Sequence, residues 1–120
     1  RGNTSREIVR MLKDFGAKEV YFAVACPPVK SPCFYGVDMP TKSELIAGNM
    51  NEDEIGKYLE VDALLYQNID DLVEAVTRKG DHHIDTPCMA CLDGNYVVND
   101  IDEAKIAEME TMRVNDRNGK

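Results

Sequence analysis

At 120 residues the chain has room for one hydrophobic core, in which roughly two thirds of the unfolded surface is buried on folding. Its 22 acidic against 14 basic residues leave a net charge of −8, which repels a phosphate backbone and argues against nucleic acid as a general partner. The longest apolar run, Val20 to Cys26, is seven residues where a membrane span needs about 20, and no basic-then-apolar leader opens the sequence, so a cytoplasmic protein without membrane association is expected.

The sequence begins Arg1-Gly2-Asn3-Thr4-Ser5, without an initiating Met, and runs at once into an amphipathic helix, as though a strand preceded it in a longer polypeptide. Thr4 and Glu7 stand at capping-box spacing. Ile8, Met11, Leu12 and Phe15 recur at i, i+3, i+4, i+7, which predicts a helix covering a sheet with that stripe. Gly16 supplies the stop, and Glu19 to Cys26, rich in β-formers and apolar on both faces, predicts a buried strand of parallel type. Pro27, Pro28 and Pro32 then forbid regular structure through a loop running to Asp38, an acid placed where sheet-edge loops line ligands.

Thr41 with Glu44 and Asn51 with Glu54 repeat the capping-box spacing, and Gly48 lies between them, so two short helices separated at Gly48 are expected. Asp62 to Gln67 reads as a second strand. Asn68 caps a helix whose Ile69, Leu72, Val73 and Val76 share a face. Strands separated by helical crossovers pair in parallel, so the fold class is α/β with at least one further strand in front. Loss of such a strand would bare an apolar face and an unpaired edge, and self-association into a homo-oligomer is the corresponding expectation.

After Gly80 the character changes, which divides the chain into residues 1–80 and a cysteine-bearing tail, 81–120. Asp81-His82-His83-Ile84-Asp85 is polar, and the His pair reads as solvated. Asp100 to Met112 favours helix without a narrow apolar stripe, and Val114 to Lys120 is expected to fray.

Two constellations bear on chemistry. Residues 1–5 stand where a loop enters a helix N-terminus, with free backbone N–H groups, Thr4 and Ser5 hydroxyls, the charge of Arg1, and a glycine that lets backbone approach a phosphate. An ordinary capped helix start accounts for the same residues. Cys88-Met89-Ala90-Cys91 sets two thiols at metal-chelating spacing, but Cys33 lies 55 positions before Cys88, so a site shared with Cys33 or Cys26 has to be assembled by the fold; unligated thiols are the alternative. The acids at Glu52-Asp53-Glu54 and Asp70-Asp71 suit helix first turns and need no chemical role.

Several strings together resemble one family. The opening Arg-Gly-Asn-Thr-Ser, Cys33-Phe34-Tyr35-Gly36-Val37-Asp38-Met39-Pro40, Glu44-Leu45-Ile46-Ala47, Asp71-Leu72, and Cys88-Met89-Ala90-Cys91 with Gly94-Asn95-Tyr96 are similar, in this order, to the carboxyl-terminal part of amidophosphoribosyltransferases. The resemblance implies part of a type I phosphoribosyltransferase fold joined to an upstream glutaminase domain. It implies a glycosyltransferase of the first committed step of purine biosynthesis, in which ammonia from glutamine displaces pyrophosphate from phosphoribosyl pyrophosphate to give phosphoribosylamine. By the same match Gly2, Asn3, Thr4 and Ser5, with Arg1, cradle the 5′-phosphate, and inhibitory purine nucleotides use the same pocket. Asn3 stands where Thr is common.

The acidic pair that holds the ribose hydroxyls and most magnesium contacts belong upstream, so the isolated chain is expected to be inactive. Some family members carry a 4Fe–4S cluster; Cys33, Cys88 and Cys91 match its downstream ligands and Cys26 matches none, and a cluster in the intact protein is the expectation. A non-catalytic module in which all four cysteines bind zinc, and a regulatory α/β domain without a site, are the competing readings.

Overall fold

The computed structural model describes residues 2–77, 84–98, 101–117 and 119. Arg1, Gly80, His82, His83 and Asp100 lie outside them. Helix α1 (Asn3–Asp14) leads into strand β1 (Tyr21–Val24), and a long irregular segment follows as far as a 3-10 turn (Lys42–Glu44). Short helix α2 (Ile46–Asn49), α3 (Glu52–Leu59), strand β2 (Ala63–Tyr66) and α4 (Ile69–Thr77) complete the first part. The tail holds α5 (Ala90–Asp93) and α6 (Glu103–Arg117).

β1 and β2 pair in parallel, with Tyr21 opposite Ala63 and Val24 opposite Tyr66, as the α/β reading requires. The ladder continues beyond both strands. Asp62 N–H donates to Val20 O at 2.9 Å, Val20 N–H to the Asp62 carboxylate at 2.8 Å, and Gln67 N–H to Val24 O at 3.0 Å. Both strands are shorter than the predicted Glu19–Cys26 and Asp62–Gln67. Nor is β1 buried on both faces: Tyr21 and Ala23 are exposed while Phe22 and Val24 are half-buried. In the two-stranded sheet of the described residues each strand pairs along one edge, and Tyr21, Ala23 and Leu65 are exposed.

The start of α1 corrects the capping expectation. Thr4 lies within the first turn, and Gly2 precedes the helix at φ 81°, so the chain enters through a left-handed residue and no side chain caps it. The stop at Gly16 stands as predicted: at φ 94° it lets Gly16 N–H reach Lys13 O at 2.9 Å and Ala17 N–H reach Leu12 O at 3.0 Å. Helix α1 packs on α3, where Val9, Ile55 and Leu59 are buried. The predicted apolar stripe points the other way, with Phe15 at 87% and Met11 at 50% exposure. The packed face of α1 instead carries Val9 and a row of cations that meet Glu60 and Asp62 at the α3–β2 corner.

Both later capping boxes form. The Glu44 carboxylate accepts Thr41 N–H at 3.0 Å, and Asn51 and Glu54 cap each other's backbone at 2.8 and 3.0 Å. Asn68 Oδ1 likewise accepts Asp71 N–H at 2.8 Å. Gly48 does not separate two helices but lies inside α2, where a Cβ would stand 2.7 Å from Lys42 O and 3.2 Å from Lys30 O. It is the point where two stretches of loop backbone close on each other.

The tail docks on the proline-rich segment. Lys30 and Ser31 N–H both donate to Cys91 O, at 2.9 and 3.0 Å, and Tyr96 Oη donates to Pro32 O at 2.7 Å. Helix α6 runs to Arg117, past the predicted end at Met112. Arg113 accounts for the extra turn: its guanidinium donates to Cys33 O at 3.0 Å and lies 5.6 Å from the Phe34 ring centre.

Candidate functional site

Helix formation leaves the first N–H groups of α1 without intrahelical acceptors. The helical ladder opens with the Arg6 N–H, which donates to Gly2 O at 3.0 Å. Asn3 and Thr4 are exposed and Ser5 is half-buried, so this end of the helix is open to solvent. No acidic side chain occupies the first turn, which leaves the positive end of the helix dipole unneutralised there.

Gly2 also has a packing role. Its bare Cα faces side chains rather than open space: a Cβ would come within 2.8 Å of Ile46 Cδ1, 3.3 Å of Tyr58 Cε1 and 3.7 Å of Leu59 Cδ2. Glycine here permits both the left-handed turn and the close seating of the loop on α2 and α3.

Behind the loop stands a polar framework that sequence reasoning missed. Tyr58 Oη donates to Asn3 Oδ1 at 3.0 Å, and the Arg6 guanidinium lies 4.9 Å from the Tyr58 ring centre. Arg6 and Arg10 converge on one oxygen of Glu60, at 2.7 and 2.8 Å. Hydrogen bonds from Arg10 and then Arg6 hold the Glu60 carboxyl down at about 2. Glu60 itself sits at φ 62° as the C-cap of α3, and its carbonyl accepts Lys13 Nζ at 2.6 Å. Asp62 is also held below the ordinary carboxylate range, first by the Val20 N–H and then by Lys13. The signal was present as a cationic row, Arg6, Arg10 and Lys13, at helical spacing on α1.

The cysteines gather without bridging. Cys26 and Cys88 are exposed, Cys33 and Cys91 half-buried, and all are free thiols. Burial pushes the Cys91 thiol up, and the nearby Cys33, Cys88 and Cys26 add to the rise. Tyr35 N–H donates to Cys33 Sγ at 3.3 Å. Among the described residues no three His, Cys, Asp or Glu side chains stand close enough to share a metal ion. Asp38 is exposed on its loop. No helix among the described residues is long and apolar enough to cross a membrane.

No family model matches the chain. It is 49% identical over 96 residues to the amidophosphoribosyltransferase of Methanocaldococcus jannaschii, a match covering 80% of this chain and 19% of that protein. It is 37% identical over 116 residues to the Escherichia coli amidophosphoribosyltransferase, covering 97% of this chain and 23% of that one. Among solved structures, the Bacillus subtilis glutamine phosphoribosylpyrophosphate amidotransferase complexed with ADP and GMP superposes with a TM-score of 0.70 at 36% identity, covering 88% of this chain and 24% of that one. A structure described as the allosteric regulatory enzyme of purine biosynthesis gives 0.74 at 36% identity, covering 92% and 24%. The α/β fold is thus that of part of a phosphoribosylpyrophosphate amidotransferase, and the chain spans about a fifth of the length of the curated relatives it matches.

Proposed function

We propose that this chain, a segment of an amidophosphoribosyltransferase by sequence and fold, forms the phosphate-gripping wall of that enzyme's sugar-binding site. Gly2, Asn3, Thr4 and Ser5, joined by Arg1, hold the 5′-phosphate of phosphoribosyl pyrophosphate, and purine nucleotides enter by the same phosphate position. The observation that carries this reading is the open start of α1, with exposed Asn3 and Thr4 and no acid in the first turn, where the first amides have no intrahelical acceptor. The ADP and GMP of the Bacillus subtilis relative, ligands that bear phosphates, are in keeping with it.

The residues of this chain bind and orient. Backbone N–H groups and hydroxyls donate to the phosphate oxygens, and the dipole of α1 favours the charge. A sugar fixed at its 5′ end has its anomeric carbon placed for attack, which is the contribution of positioning to rate. Release of ammonia from glutamine by a glutaminase domain, displacement of pyrophosphate and contact with magnesium belong to the rest of the enzyme, and the isolated chain is inactive in this reading. The grip on a phosphate calls on no iron–sulfur cluster.

The test is a titration of the intact enzyme with GMP. Thr4→Ala and Ser5→Ala are each expected to weaken binding by about tenfold, the worth of one hydrogen bond to a charged group. Unchanged affinity in both variants refutes the cradle.

A further inference from the structure

We infer that Tyr58 is a positioning residue for phosphate binding, which it performs by fixing the amide of Asn3 with nitrogen, not oxygen, available to the anion. The inference rests on the phosphate cradle proposed above. An asparagine beside a phosphate is ambiguous, since its Oδ1 repels an oxyanion and its Nδ2 donates to one. Threonine, common at this position in the resembling family, escapes the ambiguity because a hydroxyl rotates to donate.

Here the ambiguity is resolved from behind. Tyr58 Oη donates to Asn3 Oδ1 at 3.0 Å, which takes the acceptor end of the amide into the protein and leaves the nitrogen of this exposed side chain as its donor. The hydroxyl is itself well placed. The Tyr58 ring lies against the Arg6 guanidinium at 4.9 Å, and Glu60 holds Arg6 through Nη2 at 2.7 Å and Nε at 3.2 Å. Gly2 seats against the same ring, where a Cβ would lie 3.3 Å from Tyr58 Cε1. One aromatic side chain on α3 therefore sets both the backbone path and the amide orientation of the loop.

Three variants of the intact enzyme test this, with GMP affinity, steady-state kinetics on phosphoribosyl pyrophosphate, and melting temperature as readouts. Tyr58→Phe keeps the ring against Arg6 and Gly2 and removes only the hydroxyl, so the fold persists. GMP binding is expected to weaken about fivefold and KM for phosphoribosyl pyrophosphate to rise while kcat holds. In an Asn3→Ala background the same change is expected to cost nothing further. Asn3→Asp keeps an acceptor for Tyr58, and so the melting temperature, but turns a negative oxygen toward the phosphate and lowers affinity by more than about tenfold.

Equal effects of Tyr58→Phe with and without the Asn3 amide, or undiminished binding in Asn3→Asp, overturn the inference. If Thr4→Ala weakens GMP binding and Tyr58→Phe does not, the cradle stands and the inference fails. If neither Thr4→Ala nor Ser5→Ala has an effect, the cradle falls and takes the inference with it.

Discussion

Residues 2–77 and the described residues of the tail, 84–98 and 101–117, are held in place by different forces. In the first part, buried Val9 of α1 and Ile55 and Leu59 of α3 join the two helices, Val20 is buried just before β1, and ion pairs to Glu60 and Asp62 close the seam between α1 and the α3–β2 corner. The tail also buries Ala90 and Leu92, but its named attachments are polar and aromatic and fall mainly on residues 30–34: Cys91 O, Tyr96 Oη and Arg113 reach that segment, and Glu110 reaches Lys42 N–H. Phe34 and Tyr96 meet at 5.1 Å between ring centres. A proline-rich stretch cannot satisfy its own backbone in a ladder or a helix, so its carbonyls and amides need partners from elsewhere. The tail supplies them, and each segment orders the other.

Amide exchange in the intact protein reads the two regions separately. Ile55 is 1% exposed, and Ile55→Ala is expected to cost about 3 kcal/mol locally. Exchange should accelerate by roughly a hundredfold across α3 and its partner α1 while α5 stays protected. Loss of protection in both regions together would show one cooperative unit instead of two.

Gly48→Ala acts at the join. With a Cβ at 2.7 Å from Lys42 O, backbone has to move, at a cost of about 1–3 kcal/mol, and the amides of Lys30 and Ser31 should lose protection. Tyr96→Phe removes the 2.7 Å bond to Pro32 O but keeps the ring against Phe34. About 1 kcal/mol is expected, read as faster exchange at Lys30 and Ser31 with α3 unaffected.

The ion pairs give a smaller, screened effect with a definite sign. Glu60 is held at about 2, below its ordinary 4.5, so its contribution is present above pH 4.5 and is lost as pH falls toward 2. Glu60→Gln should remove that loss and flatten the acid side of the α1 exchange profile. In the tail the raised Cys91 thiol should alkylate with iodoacetamide slowly at neutral pH, with a rate that climbs through alkaline pH; fast neutral labelling would contradict the burial that raises it.

Local patterns fixed much of the architecture. The stop at Gly16, the caps at Thr41, Asn51 and Asn68, two strands and their parallel sense depend on near neighbours and on backbone hydrogen-bond geometry, and those are readable from spacing. Spacing also drew attention to the start of α1, and the family resemblance turned that hint into the phosphate cradle proposed for it. It did not show that Gly2 rather than Thr4 makes the turn, that the Ile8 to Phe15 stripe faces outward, or that α6 continues past Met112. Those outcomes depend on Tyr58, Glu60 and Cys33, residues 47 to 80 positions away from the groups they hold. Amphipathicity tells that a face will be buried, but which neighbour arrives to bury it, and which hydrogen bonds complete a loop, is settled only when distant segments meet in space.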